Sequence, residues 1–544
     1  MTMNNCFITA GSAIAAIFII GGCIFLHELG HFLAAKLLGL RVDAFSIGFL
    51  TVWRKKFHDV EYRIGCLPLG GYCLIPQLNV VAEKSVPDND RGALPRIKPL
   101  ARVIIAAAGP LFNILGGMFA AVVVWIWGMP QDSPRMRSIT VYDIDRNGPE
   151  YAAGLRAGDR IVKLNGKDLF CTWGEFVQST LLTVGQVELG VERGGQRFAI
   201  RYTPSENPDA PRLLRLERLT CPFFKPEIPI EFHPVPGGIA EKAGIKSGDK
   251  LVAVNGGHIP SHAQFFLALG FSRGEPIRLT LERGGRFLDV SVKPIPVKNN
   301  GCDLESYFTG ARLEDEGKLL RVTYVNPCAP AAKAGMKPGD VVTAINGEEM
   351  TDPAFWDESV RLLKDRPFQL TIRRGDKTLT LDIAAMRYVP MTMEVDTASY
   401  DHPTPSRLFA RTCRINWMAL RSMAFAVMHK VGLTPRRAYI GPRNLHGPVG
   451  MGIMFFDSAR HARSCWTFFC IAMASFSLAV FNLLPLPVLD GGHVVFGCME
   501  MATGRTPNNR LVKSLYVICA VLLIVLMLYT MVLDVRRLYA YVTC

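Results

Sequence analysis

The sequence predicts a polytopic α-helical membrane protein that carries a large array of α+β repeats outside the bilayer. Three observations predict it. Four stretches are long and apolar enough to cross about 30 Å of hydrocarbon, which takes ~20 helical residues. These stretches lie toward the two ends, and the middle has the mixed composition of soluble protein. Within that middle, one pattern occurs three times.

The bulk composition agrees. Of 544 residues, 49% are hydrophobic, and the mean hydropathy is +0.20, above that of an average soluble chain. The formal charge of +14 raises nucleic acid as a partner. Lys and Arg instead collect beside the apolar stretches, and no DNA- or RNA-binding motif occurs, so the expected partner is the lipid bilayer and not nucleic acid. The 14 cysteines form no C-x-x-C pair and no zinc-finger spacing. Cys23, Cys470 and Cys519 fall in apolar stretches and read as small buried hydrophobes. Cys171, Cys221, Cys302, Cys328, Cys413 and Cys465 fall in the middle region, where an extracytoplasmic position would permit disulfides.

The expected spans cover residues 8–38, 100–129, 466–484 and 515–533. The first is not read as a cleavable signal, because its leader carries no Lys or Arg and its apolar run is too long. The loop between the first two spans holds Arg41, Arg54, Lys55, Lys56, Arg63, Lys84, Arg91, Arg96 and Lys98. Positive charge stays on the cytoplasmic side, so that loop is expected inside and the N-terminus outside. The long middle region then lies outside. Residues 486–514 lie inside, and Arg505, Arg510 and Lys513 agree. Arg536 and Arg537, after the fourth span, run against the pattern.

The repeats come next in the chain. AGLRAGDRIVKLNG starts at Ala153, AGIKSGDKLVAVNG at Ala243 and AGMKPGDVVTAING at Ala334, which are 90 and 91 residues apart. Each predicts a short helix closed by Gly, a Gly-Asp turn, an alternating strand and an Asn-Gly turn. The Gly-Asp pairs are Gly158-Asp159, Gly248-Asp249 and Gly339-Asp340. The Asn-Gly pairs are Asn165-Gly166, Asn255-Gly256 and Asn346-Gly347. A repeat with this core resembles the PDZ domain in its circularly permuted bacterial form. PDZ domains take an extended chain or a chain end as an added strand, so chain-end ligands are expected, with inert spacer copies as the competing reading. Residues 405–463 follow, with Arg407, Arg411, Arg414, Arg421, Lys430, Arg436, Arg437, Arg443, Arg460 and Arg463 against one acid, Asp457. Trp417, Met418, Leu420, Met423, Phe425 and Met428 are interleaved. That is the pattern of an amphipathic helix on the membrane surface or of one packed on the last repeat.

The chemistry lies at membrane depth. His27-Glu28-Leu29-Gly30-His31 sits in the first span. On a helix, positions i and i+4 share a face, so two imidazoles can hold one zinc ion while the intervening Glu activates water. Ionisable residues in hydrocarbon cost several kcal/mol unless paired, which makes them functional by default. Zinc needs a third protein ligand and an open position. The run 481–493 after the third span, Phe-Asn-Leu-Leu-Pro-Leu-Pro-Val-Leu-Asp-Gly-Gly-His, breaks the helix at membrane depth, which is tolerated only where backbone lines a cavity. It offers Asp490 and, as a rival, His493.

HELGH in a first span, NLLPLPVLDGG after a third, and PDZ-like repeats between them resemble the site-2 protease family, nearest to the bacterial regulator-of-sigma-E protease type. The resemblance covers nearly the whole chain and departs from it in the third repeat. It implies zinc on His27, His31 and Asp490, with Glu28 as the catalytic base. It implies that Asn482 holds the substrate backbone. It also implies that residues 63–76, with Gly70, Gly71 and Tyr72, form a membrane-dipping hairpin offering a strand edge to the substrate. Residues 108–113 match a second-span motif of structural role. The implied activity is hydrolysis of single-span membrane proteins within the bilayer. It would be the second cut in regulated proteolysis of an anti-sigma-factor-like regulator, and would also act on signal-peptide remnants. The implied location is the bacterial inner membrane, multi-pass, with periplasmic PDZ-like units.

The expected fold is therefore an α-helical polytopic membrane protein with four transmembrane helices and an extracytoplasmic array of PDZ-like α+β domains. Its divisions are 1–128 for the first two spans and the hairpin, and 129–220, 221–310 and 311–395 for the PDZ-like units. The basic helical segment takes 396–465, and the last two spans take 466–544. A membrane-anchored PDZ scaffold with a dead protease core is the alternative, and the intact His27, Glu28, His31 and Asp490 speak against it.

Overall fold

The computed structural model describes residues 3–78, 97–205, 222–297, 307–315, 320–350, 366–387, 389–445, 464–504 and 509–543, with isolated positions between 351 and 365. Lys84, Arg91, Arg96, Cys221, Cys302, Asp457, Arg460, Arg463 and Arg505 lie outside the described residues.

Four described helices are long and apolar enough to cross a membrane: Ile19–Leu37, Pro99–Trp127, Cys465–Asn482 and Val512–Arg537. The second packs against both the first and the third. Ala120 and Ala121 meet Ala472 and Phe476 there, small residues against a ring, as close helix packing in lipid requires. The fourth is barely covered by the rest of the chain. Near its C-terminal end, Arg537 pairs with Asp534 at 3.1 Å and donates to the Leu445 carbonyl at 2.7 Å.

Between the first two spans, Ala44–Phe57 and Val60–Leu74 form an antiparallel sheet. Residues 44–47 pair with 61–64 on one side and with 71–74 on the other, and 53–57 pair back onto 60–64. The segment 71–74 is therefore an edge. It is the edge that faces the first span, since a side chain on Gly71 would meet Ile24 and Glu28.

The three repeats form three six-stranded sheets of one spatial layout. In the first, the order runs Gln196–Tyr202, Val187–Arg193, Arg160–Leu164, Ile139–Ile144, Phe224–Pro226. The Asn-Gly turns are as expected, with Asn165, Asn255 and Asn346 at φ near 50° followed by glycines of positive φ. The pairing cuts across the expected boundaries. Phe224–Pro226 closes the first sheet although it lies beyond residue 220. The second sheet is closed by Val395–Asp396, which follows the whole third unit. The third unit takes its edge strand from Ala311–Asp315, ahead of its core. The third unit is thus inserted into the second. A sheet edge can be closed by any strand that reaches it, so chain order does not dictate the pairing.

An ionic clasp recurs in each unit. Asp159 accepts from the Arg156 amide at 2.8 Å, and the Arg193 guanidinium reaches Asp159 and the Gly154 carbonyl. Asp249 with Arg283 and Gly244, and Asp340 with Arg374 and Gly335, repeat it. This explains the Gly-Asp pairs: a buried carboxylate ties the helix end to the far hairpin, and bidentate guanidinium is the geometry that suits it.

The array joins the membrane part through a neck. Met129–Gln131, directly after the second span, pairs antiparallel with Ser399–Asp401. Arg135 beside it bonds Glu175 at 2.9 Å and Asp401 at 3.3 Å, and Arg411 meets the same Glu175 oxygen at 2.9 Å.

The basic segment is helical over Pro405–Lys430. Its buried stripe of Leu408, Thr412, Asn416 and Ser422 faces the third span and a following turn. Thr412 donates to Met473 Sδ at 2.9 Å and Asn416 to Ser477 at 3.1 Å. Both pairs are 61 residues apart, so the two helices run side by side in the same direction. Arg407, Arg414, Trp417, Arg421 and Lys430 stay on the exposed face. Among the described residues, Cys171, Cys328, Cys413 and Cys465 are free thiols.

Candidate metal centre

His27 and His31 lie one turn apart in the first span, and both rings face the second span. The approach depends on two glycines. A Cβ on Gly30 would overlap the Ala108 carbonyl, and a Cβ on Gly109 would overlap the His31 ring. Pro110, next in the chain, removes one rung of the second helix. The His31 Nδ1 reaches the carbonyl of Ile105 in that stretch, at 2.8 Å.

Asp490 comes from the other end of the chain. It is the first residue of the helix Asp490–Thr503, where a negative charge suits the helix dipole. Gly491 and Gly492 let this helix start against the carbonyls of Leu483, Leu484 and Leu486, where any side chain would overlap them. Arg102 of the second span holds its far end through Glu500 at 2.8 Å.

Three atoms converge. His27 Nε2 and His31 Nε2 are 3.2 Å apart, and Asp490 Oδ2 lies 3.1 Å from the first and 3.5 Å from the second. Ligands about 2.0–2.2 Å from a tetrahedral zinc ion are separated by about 3.3–3.6 Å, so the spacing fits. The protons fit as well. A carbonyl only accepts, so His31 Nδ1 carries the hydrogen it gives Ile105, and the neutral ring presents a lone pair at Nε2. Asp490 Oδ2 is turned toward the two Nε2 atoms. Lone pairs crowded this way favour a bound cation. Among the described residues, His27, His31 and Asp490 are the group of metal-binding type, and His493 is not part of it.

Glu28 is 8% exposed beside this cluster. The Cys73 backbone lies against its carboxylate, and Gly71 leaves room for its stem. Asn482 Nδ2 is 3.3 Å from His27 Nε2, on the rim of the cluster. Tyr72 turns its hydroxyl to Arg63 at 2.7 Å, and Gly70 leads into the same edge. One participant falls in the stretch 108–113, whose expected role was structural. Asn113, wholly buried, lies 3.0 Å from His27 Nδ1. Its spacing of four from Gly109 and eight from Ile105, on one face of a helix opposite the HELGH turn, was the available signal.

Two histidines and a carboxylate converging beside a buried Glu, with His27, Glu28 and His31 on a helix apolar enough to cross a membrane, are the set of an intramembrane zinc metalloendopeptidase. The chain belongs to Peptidase family M50, whose family model matches residues 15–526. It is 26% identical over 541 residues to Protease RseP of Yersinia pestis, covering 97% of this chain and 99% of that one. It is 26% identical over 534 residues to the regulator of sigma-E protease RseP of Salmonella typhimurium, covering 96% and 98%. Among solved structures, the PDZ domain of HtrA3 with a phage-derived ligand matches at 27% identity, with 16% of this chain and 88% of that chain covered and a TM-score of 0.14.

Proposed function

We propose that this chain cuts a transmembrane segment of single-span membrane proteins, with zinc on His27, His31 and Asp490 and with Glu28 as general base. The observation that carries it is the convergence of His27 Nε2, His31 Nε2 and Asp490 Oδ2 at 3.1–3.5 Å beside a buried carboxylate. When bound, the ion supplies Lewis acidity to the scissile carbonyl and to a water molecule. Glu28 takes the water proton and passes it to the leaving amine.

A helical substrate hides its peptide bonds in its own hydrogen bonds and must unwind to be cut. The edge at Gly70, Gly71 and Tyr72 accepts the extended segment as an added strand, and Asn482 bonds its backbone beside His27. Relatives named for the regulation of sigma E support a membrane-bound regulator of anti-sigma-factor type as substrate, cut after a first outer cleavage. Signal-peptide remnants share the same single-span chemistry. The location is the bacterial inner membrane, with the PDZ-like units on the periplasmic side, where they meet chain ends or folded substrate domains.

The test uses purified protein in liposomes with a single-span test substrate. Cleavage should map inside the span, stop on chelation with phenanthroline and return with zinc. Cuts outside the span, or cleavage indifferent to chelation, would overturn the reading.

A further inference from the structure

We propose that Asn113 is a positioning residue that fixes the tautomer and tilt of the His27 ring, by accepting a hydrogen bond from His27 Nδ1–H when the metal is bound. The inference rests on the zinc site proposed above.

The two histidines are supported differently. His31 gives its Nδ1 hydrogen to a backbone carbonyl, Ile105, at 2.8 Å. No side-chain change can remove that bond. His27 has a side chain in the equivalent place: Asn113, 0% exposed, with its amide nitrogen 3.0 Å from Nδ1 and its Oδ1 buried without a partner. The first two spans run antiparallel, so residues 105, 109 and 113 on one face meet His31, the gap between the rings, and His27 in turn.

The two ends of an amide differ chemically but occupy nearly the same volume. With the amide nitrogen toward Nδ1, that ring atom must accept, and the hydrogen moves to Nε2. His27 Nε2 can then donate to its neighbours but cannot bind a metal. With the amide turned over, Oδ1 accepts from Nδ1–H, and Nε2 keeps its lone pair toward His31 and Asp490. Asparagine serves both arrangements. It can support the ring in the metal-free protein and, after one rotation, in the loaded one. Such second partners of ligating histidines typically change metal affinity 10–100-fold when lost.

The test measures zinc binding by competition with a chromophoric chelator on purified, metal-free full-length protein. The variants are Asn113→Leu, which keeps the volume and loses both functions, and Asn113→Asp, which keeps an acceptor alone. The cobalt(II) absorption spectrum is recorded for each as a report of ligand geometry. Asn113→Leu should weaken zinc at least ~10-fold and shift the cobalt bands, and Asn113→Asp should stay within about 3-fold of wild type with wild-type bands. Melting of the metal-free proteins registers any loss of folding separately, and if Asn113→Leu does not fold, Asn113→Asp decides by itself, a loss of ~10-fold or more or shifted cobalt bands overturning the inference. Wild-type affinity in Asn113→Leu, or a loss in Asn113→Asp as large as in Asn113→Leu, overturns the inference. If the wild-type protein itself binds no zinc, the underlying site reading fails instead.

Discussion

The stem of Glu28 fills the space that a side chain on Gly71 would need: a Cβ built on Gly71 falls 2.8 Å from Glu28 Cγ. The proposed base and the sheet edge proposed for the substrate are thus in direct contact.

Because glutamine has the shape of glutamate, Glu28→Gln should leave this contact and the zinc content intact. It removes the base, and cleavage in liposomes should fall at least ~10²-fold. A variant that cuts at the wild-type rate would dismiss Glu28 from the chemistry.

Asp490→Ala should lose metal as well as activity. Two imidazoles alone make a weak site, and Asp490 Oδ2 is the third converging atom. Metal analysis of the purified variant checks this. Full zinc occupancy would send the search for a third ligand back to His493.

The first repeat buries a carboxyl at a position where the other two have alanine. Glu150 is 1% exposed, and burial pushes its carboxyl up to about 7. The groups around it are the Tyr202 hydroxyl, the Phe223 backbone and the charge of Asp145. The corresponding residues of the other two units, three before Ala243 and Ala334, are the buried Ala240 and Ala331. A folded-state value above the unfolded one means that the folded protein keeps a proton the unfolded chain releases. Stability should therefore fall as pH rises from about 4.5 to about 7, by roughly 3 kcal/mol at most, and be level above that. Glu150→Gln should flatten this dependence in hydrogen exchange of the first unit within the full-length protein. Equal slopes in both proteins would show that Glu150 titrates normally.

We expect the array to exclude untrimmed substrates. Since Gln131 and Ser399 are paired, residues 132–398 can be replaced by a short turn that keeps this pairing. The shortened protein should cut substrates that still carry a folded outer domain. A shortened protein that cuts trimmed substrate poorly and untrimmed substrate not at all would mean that the array recruits.

Much of this was legible in the sequence because its causes are local. The step of four from His27 to His31 makes about one turn, and ~20 apolar residues make a span, whatever surrounds them. The Gly-Asp and Asn-Gly turns depend on a few backbone angles and were readable three times over. What was missed depends on distant partners. The clasp from Arg193, Arg283 and Arg374 lies 34 residues beyond each aspartate and shows only when the later parts of the repeats are aligned too. The closing of the second sheet by Val395–Asp396 requires knowing which edge is open once the third unit has folded. Asn113 finds His27 through the register of two packed helices; periodicity places it on one face with Ile105 and Gly109 but does not say which residue that face meets.

The two-strand neck leaves no slack between the array and the membrane helices. Met129 follows the second span after a single glycine, and Asp401 lies four residues before the basic helix. A force that tilts the array therefore acts as a torque on the second span. That span carries Ile105, Gly109 and Asn113 against the two histidines. The array and the cluster of His27, His31 and Asp490 are therefore joined in mechanical series through the second helix, so that a load on the array reaches the turn against which the two histidines rest.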